Sequence, residues 1–394
     1  MKDSISTRAS VLGMGVICAA GNNLSECMNS MFQGVRNPKA SSRIKTTHKV
    51  KYPVFEVDGE FSSDSQYKGI YRTSFLALEA VKEALKDADL SRDFLKSKRV
   101  GVCLGTTVGT GMHNEVFYKG FREGSLPSMG PIDGFLRTNP AQFISNELEL
   151  DGPVQTIVNA CSSGTDAIGV GASWIKAGLC DYVIAGGADE LSRITYNGFI
   201  SLLIMSDEPC LPFDSNRKGL NLGEGAGIMI LGSDNEERKL GVISGFGTRA
   251  DAYHLTAPRK DGKGLKRALS EALKESGVSL KDLSFINAHG TATFDNDFVE
   301  GKVINELFPD IPFLSTKGYT GHTLGAAGAI EAVFTLASLK KGEIPSSIGF
   351  QVPDKALGVT PVQEITSVSS KVAISESLAF GGNNSVLIIE KAEH

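Results

Sequence analysis

The strongest constraint on the fold is an order of elements that runs twice. "VLGMGVICAAG", "RVGVCLGTT" (99–107), "VQTIVNA" (154–160), "DYVIAGGAD" (181–189) and "GAGIMILG" (225–232) are short apolar runs ending in small residues, as buried strands entering tight turns do. Within this half, "TSFLALEAVKEALKDADL" (73–90) carries Phe75, Leu78, Val81 and Leu85 at helical spacing. A charged break follows at "SDNEERKL" (233–240). The pattern then restarts with strand "GVISGFGT", helix "GLKRALSEALKESG", strand "SFINAHG", helix "AAGAIEAVFTLASLKKG" and the closing strands "KVAISES" and "SVLIIEK". No residue-level repeat accompanies the repeated order. Strands alternating with helices build α/β layers, so two halves, 1–236 and 237–394, are expected to stack with their loops converging on one site.

The 44 glycines among 394 residues suit many strand-to-helix turns. The net charge of −5 gives no global field that favours nucleic acid or an anionic membrane, so an acidic partner needs a local basic patch. Cysteines 18, 27, 103, 161, 180 and 210 form no Cys-x-x-Cys pair and no zinc-spaced cluster, which argues against a metal site or disulfide framework and, for five of them, for small buried hydrophobes in a reducing cytoplasm. Near the N-terminus "VLGMGVICAAG" has the outline of a lipoprotein signal. Its apolar run is only about ten residues, Gly13 and Gly15 interrupt it and Asp3 precedes it, so a first strand is the expected reading. No run approaches the ~18 apolar residues of a membrane span.

Chemistry is expected at three positions. Cys161, in "VNACSSGTDAIGVGASW", stands where a strand turns into a Gly/Ala-rich helix; a helix N-terminus offers free N–H groups that favour a thiolate. By itself this is weak, since most strand-end cysteines are inert. His289 in "NAHGTATFDND" and His322 in "STKGYTGHTLGAAGAIE" also sit at strand–loop–helix junctions, where α/β folds gather catalytic groups. Together the three make an acyl-transfer site the better reading.

Taken jointly, "VLGMGVICAAGN", "NACSSG", "PFDSNRKGLNLGEGAG", "DAYHLTAP", "NAHGTAT", "KGYTGHTLGAAGAIEA" and "LAFGGNNS" resemble, in order, the β-ketoacyl-acyl-carrier-protein synthases, most closely the elongating synthase II type. The resemblance runs from about residue 9 to residue 390 and implies a thiolase-like, duplicated five-layer αβαβα fold. It implies that Cys161 carries the acyl chain as a thioester. His289 and His322 would stabilise the enolate left when malonyl loses carbon dioxide. The backbone N–H groups of Cys161 and Phe380 would form the oxyanion hole, with Phe380 also the gate between acyl binding and malonyl admission. Lys317 and Glu300 match charged residues that support the histidines. Thr291, Thr293 and, less closely, Thr256 match pantetheine-binding threonines, and Val108 matches a lining residue of the acyl tunnel. The family needs no cofactor beyond the phosphopantetheine that its acyl carrier protein partner brings. It forms dimers, of like chains or with a second ketosynthase-like chain, and acts in the cytoplasm without nucleic acid or membrane insertion.

The sequence departs from the family at Ala292, Phe294, Leu378 and Asn383, the second and third of these being candidate substrate-lining positions. "IMSDEPCLPFD" is shorter than usual and lacks an arginine that helps bind carrier proteins. Lys68 and Arg72 are candidates for a replacement patch, although solvated surface charge is the simpler reading. These departures leave open a ketosynthase of a specialised polyketide or aryl polyene pathway. A non-catalytic chain-length factor fits less well, because the nucleophile is present.

Overall fold

Ten strands form one continuous sheet in which the same five-strand figure occurs twice. The structure is a computed structural model describing residues 8–58, 71–109, 111–137 and 139–393. The strands are Ala9–Cys18 (β1), Val100–Gly105 (β2), Val154–Ile157 (β3), Tyr182–Asp189 (β4), Gly225–Ser233 (β5), Gly241–Ala250 (β6), Leu283–Asn287 (β7), Phe313–Leu314 (β8), Val372–Ala379 (β9) and Asn383–Lys391 (β10). Their spatial order is 8-7-9-10-6-1-5-4-2-3. Read outward from the centre, each half therefore follows the sequence first, fifth, fourth, second, third. In both, the second strand pairs in parallel with the third and fourth, while the fifth pairs antiparallel with the fourth and first. A short antiparallel contact, Ala9 with Ile243 to Val11 with Gly241, joins the halves.

Six helices matter for the site: Arg72–Ala88 (α1), Ser163–Lys176 (α2), Arg193–Ser201 (α3), Lys263–Ser276 (α4), Phe294–Leu307 (α5) and Ala327–Lys341 (α6). Helix α1 covers β1, β4 and β5, and α4 covers β6 and β10. Both are amphipathic: α4 buries Leu265, Ala268, Leu269 and Ala272 against the sheet, a one-sided stripe at helical spacing. In α1 the buried stripe includes Leu78, Val81 and Leu85 as expected, whereas Phe75 is only half-buried and Leu76, Ala77, Ala80 and Ala84 complete the face. Helices α2 and α6 touch each other and strands of both halves. They are the middle of the five layers, αβαβα.

The middle layer needs small residues. A Cβ on Gly164 of α2 would lie 2.8 Å from the Ala329 backbone nitrogen, and one on Gly328 of α6 would meet Thr165 Oγ1 at 1.9 Å. Such helix contact leaves no room for side chains, which explains the Gly/Ala-rich sequences of both. All six cysteines are buried and unpaired. No described helix is long and apolar enough to cross a membrane.

Candidate active site

Strand β3 stops at Ile157, earlier than the apolar run suggests, because the chain turns sharply before α2. Ala160 adopts φ 48°, a left-handed value that costs a non-glycine residue about 1–3 kcal/mol and tends to mark functional turns. Cys161 follows in a single 3₁₀ turn leading straight into α2, so its sulfur sits at the start of a fourteen-residue helix. Asp166 anchors that turn, accepting from Asn159 Nδ2 at 2.7 Å, Ser162 Oγ at 2.9 Å and Asn383 Nδ2 at 3.2 Å. Asn383 also donates to Ser162 Oγ at 2.7 Å, so this departure from the family pattern braces the turn that carries Cys161. The Phe380 N–H is directed at the Cys161 sulfur, and His322 Nε2 lies 3.0 Å from it. Burial nevertheless dominates: the thiol is pushed up to about 11, with the Phe380 N–H and the Lys317 charge opposing. The helix terminus alone therefore does not yield a resting thiolate at neutral pH, because desolvation of the sulfur outweighs it.

His289 leaves the end of β7. Its backbone N–H donates to Glu300 Oε1 at 2.5 Å, and the Gly290 N–H donates to Glu300 Oε2 at 2.8 Å. Lys317 Nζ lies 3.1 Å from His289 Nδ1 and forms an ion pair with Glu331 of α6. An ammonium only donates, so Nδ1 accepts and the imidazole carries its proton on Nε2. His322 is held by the first half of the chain: its N–H donates to Asn221 O at 2.8 Å, and Gly223 N–H donates to its carbonyl at 2.9 Å. The two rings meet edge to face, centroids 5.2 Å apart at 88°. His322 Nδ1 is buried with no partner among the described residues; an orphaned lone pair is cheaper than an orphaned N–H, which favours the Nε2–H form here too. Burial first, then the Lys317 charge, holds both histidines well below the usual imidazole range. At neutral pH the site holds two neutral imidazoles with their N–H groups on Nε2.

Lys317 and Glu300 do not act as a pair. Glu300 grips the backbone at His289, while the partner of Lys317 is Glu331, a residue absent from the sequence-based set. A lone acid in the apolar stretch "AAGAIEAVFTLA" was its signal. Burial pushes Glu331 up to about 7 against the pull of Lys317. The Glu376 carboxyl, on β9, faces Glu300 in the same dry interior. Burial and then the neighbouring carboxyl push Glu376 well above the usual range, and burial raises Glu300. Two such carboxyls oppose each other's ionisation, so both bind protons more tightly than free carboxyls do.

Cys161, His289 and His322 open onto one cavity of about 230 Å³, also lined by Thr256, Thr291, Thr293, Phe294, Leu378 and Phe380. Thr291 and Thr293 share a hydrogen bond of 2.9 Å, and the Arg217 guanidinium lies 5.1 Å from the centre of the Phe294 ring. Phe380 stacks on Phe199 of α3 at 5.5 Å; Phe199 is a second residue the sequence reading lacked. Gly381 and Gly382, at φ 87° and 78°, form the turn behind Phe380, which only glycine enters without strain. Val108 lies on the loop after β2 and does not line this cavity. Lys68 lies outside the described residues. Arg72 is not a surface charge: it binds buried Glu224 at 2.7 and 2.9 Å, alongside Arg43.

One sulfur and one nitrogen from each histidine lie within 4.8 Å of one another, a donor set a soft divalent ion accepts. The Lys317 ammonium beside His289 and the raised thiol both make a cation costly there. The arrangement suits acyl transfer better: a nucleophile on a helix N-terminus, an N–H aimed at it, and two neutral imidazole donors.

A duplicated αβαβα body with a cysteine and two histidines at its converging loops defines a thiolase-like condensing enzyme of the acyltransferase type. Residues 7–237 match the N-terminal domain of β-ketoacyl synthases and residues 240–351 match their C-terminal domain; the chain belongs to the β-ketoacyl synthase family. A 3-oxoacyl-[acyl-carrier-protein] synthase 2 of Staphylococcus aureus is 32% identical over 413 residues, spanning 98% of this chain and 99% of the relative. Its namesake in Synechocystis is also 32% identical, spanning 98% of each. Among solved structures, the ishigamide ketosynthase/chain length factor superposes with a TM-score of 0.92 at 27% identity, covering 98% of this chain and 100% of that one. The ketosynthase ApeO in complex with its chain length factor ApeC from Xenorhabdus doucetiae gives 0.83 at 30% identity, covering 98% of each.

Proposed function

We propose that this protein is a β-ketoacyl-[acyl-carrier-protein] synthase that elongates a carrier-bound acyl chain with malonyl-acyl-carrier protein. The observation that carries this reading is Cys161 Sγ at 3.0 Å from His322 Nε2, with His289 beside it in one cavity. In the first step Cys161 attacks the carrier thioester. The carbon–sulfur bond to the carrier breaks, and the thiol proton goes to the departing carrier sulfur. In the second, the malonyl carboxylate leaves as carbon dioxide and its electron pair becomes an enolate. The Nε2–H groups of His289 and His322 hold the enolate oxygen. The carbanion then attacks the acyl carbonyl, whose oxyanion binds the N–H groups of Cys161 and Phe380. Collapse expels the Cys161 sulfur, which takes a proton from solvent.

In this reading Lys317, with Glu331, fixes the tautomer of His289, and Glu300 fixes its backbone. Thr291, Thr293 and Thr256 hold the pantetheine arm, so the carrier's phosphopantetheine is the sole prosthetic group. Leu378 and Phe294 shape the acyl path, and residues 1–236 and 237–394 act as the two halves that supply the nucleophile and the histidines. A dimer is supported by helix Glu115–Arg122 and its following loop, which expose Val116, Tyr118, Phe121, Leu126 and Met129; so large an apolar area is usually covered. Six free cysteines support a reducing cytoplasm. The similarity to ketosynthase/chain-length-factor structures and the altered rim favour, as a second reading, a specialised polyketide or aryl polyene ketosynthase, with a chain-length-factor role the lesser variant.

Replacing Cys161 with Ala is expected to abolish acyl-enzyme formation and condensation, read by mass spectrometry of protein and product. Retained elongation by that variant would sink the proposal. Preference for polyenoyl or aryl over saturated acyl carriers would select the second reading.

A further inference from the structure

The chain is acidic overall, yet one groove beside the cavity mouth is strongly cationic. Arg249, Lys263, Lys266, Arg267 and Lys274 line it, opposed by only Asp261 and Glu271. Of the basic groups, Arg249 pairs with Glu271 and Lys266 with Glu306. Lys263, Arg267 and Lys274, together with Lys260 just before the helix, are exposed and have no ion pair among the described residues. Other basic groups nearer the first half of the chain are paired: Lys218 with Glu208, Arg193 with Glu115 and Arg217 with Asp354.

The groove lies close to the active-site cavity. Asp251 and Asn384 line the cavity, and both abut Gly264 in the first turn of α4. Between groove and mouth the loop exposes Tyr253 and Leu255, 54% and 79% accessible. That same loop holds the turn behind Phe380, through Gly381 N–H to Leu255 O and Asp251 N–H to Gly382 O, each 2.7 Å.

We propose that the exposed face of α4, with Tyr253 and Leu255, is the docking surface for the acidic carrier protein that feeds Cys161. The inference rests on the synthase reading above and adds to it where the carrier sits. The unpaired cations match an acidic partner, and the exposed aromatic and leucine supply an apolar centre. Because the docking loop is hydrogen-bonded to the Phe380 turn, a carrier seated there touches the gate it must pass.

The test uses the full chain and the double substitution Lys263→Glu, Arg267→Glu. Both residues are exposed, and a carboxylate in the first turn of a helix is compatible with its dipole. Condensation is measured with acyl and malonyl groups on a recombinant acidic holo acyl carrier protein, and separately on N-acetylcysteamine. The expected result is a rise of about tenfold in KM for the carrier substrates. The kcat and the N-acetylcysteamine kinetics stay unchanged, and the salt dependence of the carrier KM flattens. Lys340→Glu, on a distant helix end, should alter neither. An unchanged carrier KM, or an equal loss with both substrates, would overturn the docking surface. If the wild-type chain condenses neither substrate, the synthase reading fails. Docking is then decided by fluorescence anisotropy of the labelled holo carrier: tenfold weaker binding to the double variant supports the surface, and equal or absent binding overturns it.

Discussion

Glu300 and Glu376 place two carboxyls in one buried space behind His289, and this has a pH consequence. Both have folded pKa values above the ordinary 4.5. Such acids bind protons more tightly when folded, so their contribution to stability is complete below the unfolded value and is lost as pH rises through the folded ones. Glu376→Gln keeps the shape and removes one proton-binding step. Its thermal stability should fall less than that of the wild type as pH rises above the ordinary carboxylate range, as calorimetry over a pH series would reveal; identical pH slopes would contradict a raised Glu376. The sequence singled out Cys161, His289 and His322 at this scale because their types are rare and sit at junctions. It did not offer the duty of Glu300, which is to hold two backbone N–H groups, since backbone geometry leaves no mark on residue type. Glu331 was visible as a lone acid among apolar neighbours, but its partner Lys317 lies 14 positions away with a turn between them.

At the scale of elements, the contact between α2 and α6 leaves no tolerance. Gly164→Val would drive a branched side chain into the backbone of α6, and overpacking of this kind costs about 1–3 kcal/mol. Denaturant titration should show a stability loss in that range together with reduced turnover, because Cys161 lies at the head of the displaced helix. The Gly/Ala composition of both helices announced close packing, yet it did not say against what; that information is held by residues more than 150 positions apart. Strands and amphipathic helices were readable from their periods. Helix α5 was not: it buries Asn296, Asp297 and Glu300 as well as Val299 and Val303, so its polar residues face inward and blur the stripe that identifies a helix. Strand β8, with two residues, is too short to have a period at all.

At the scale of the molecule, the sheet is one ladder in which a five-strand figure occurs twice, joined through β1 and β6. The halves are interlocked, because α2 and α6 each lie against strands of both. The whole protein should therefore unfold in a single calorimetric transition, and residues 1–236 expressed alone should bind a hydrophobic dye and lack a cooperative melt. Two separated transitions, or a sharply melting fragment, would contradict this interlocking. The same arrangement has a consequence during synthesis. Cys161 emerges from the ribosome well before either imidazole, and the segment that pins His322 comes from the earlier half. A nascent chain halted before residue 322 thus carries Cys161 without its nearest imidazole, and only completion of the second half brings the three side chains together.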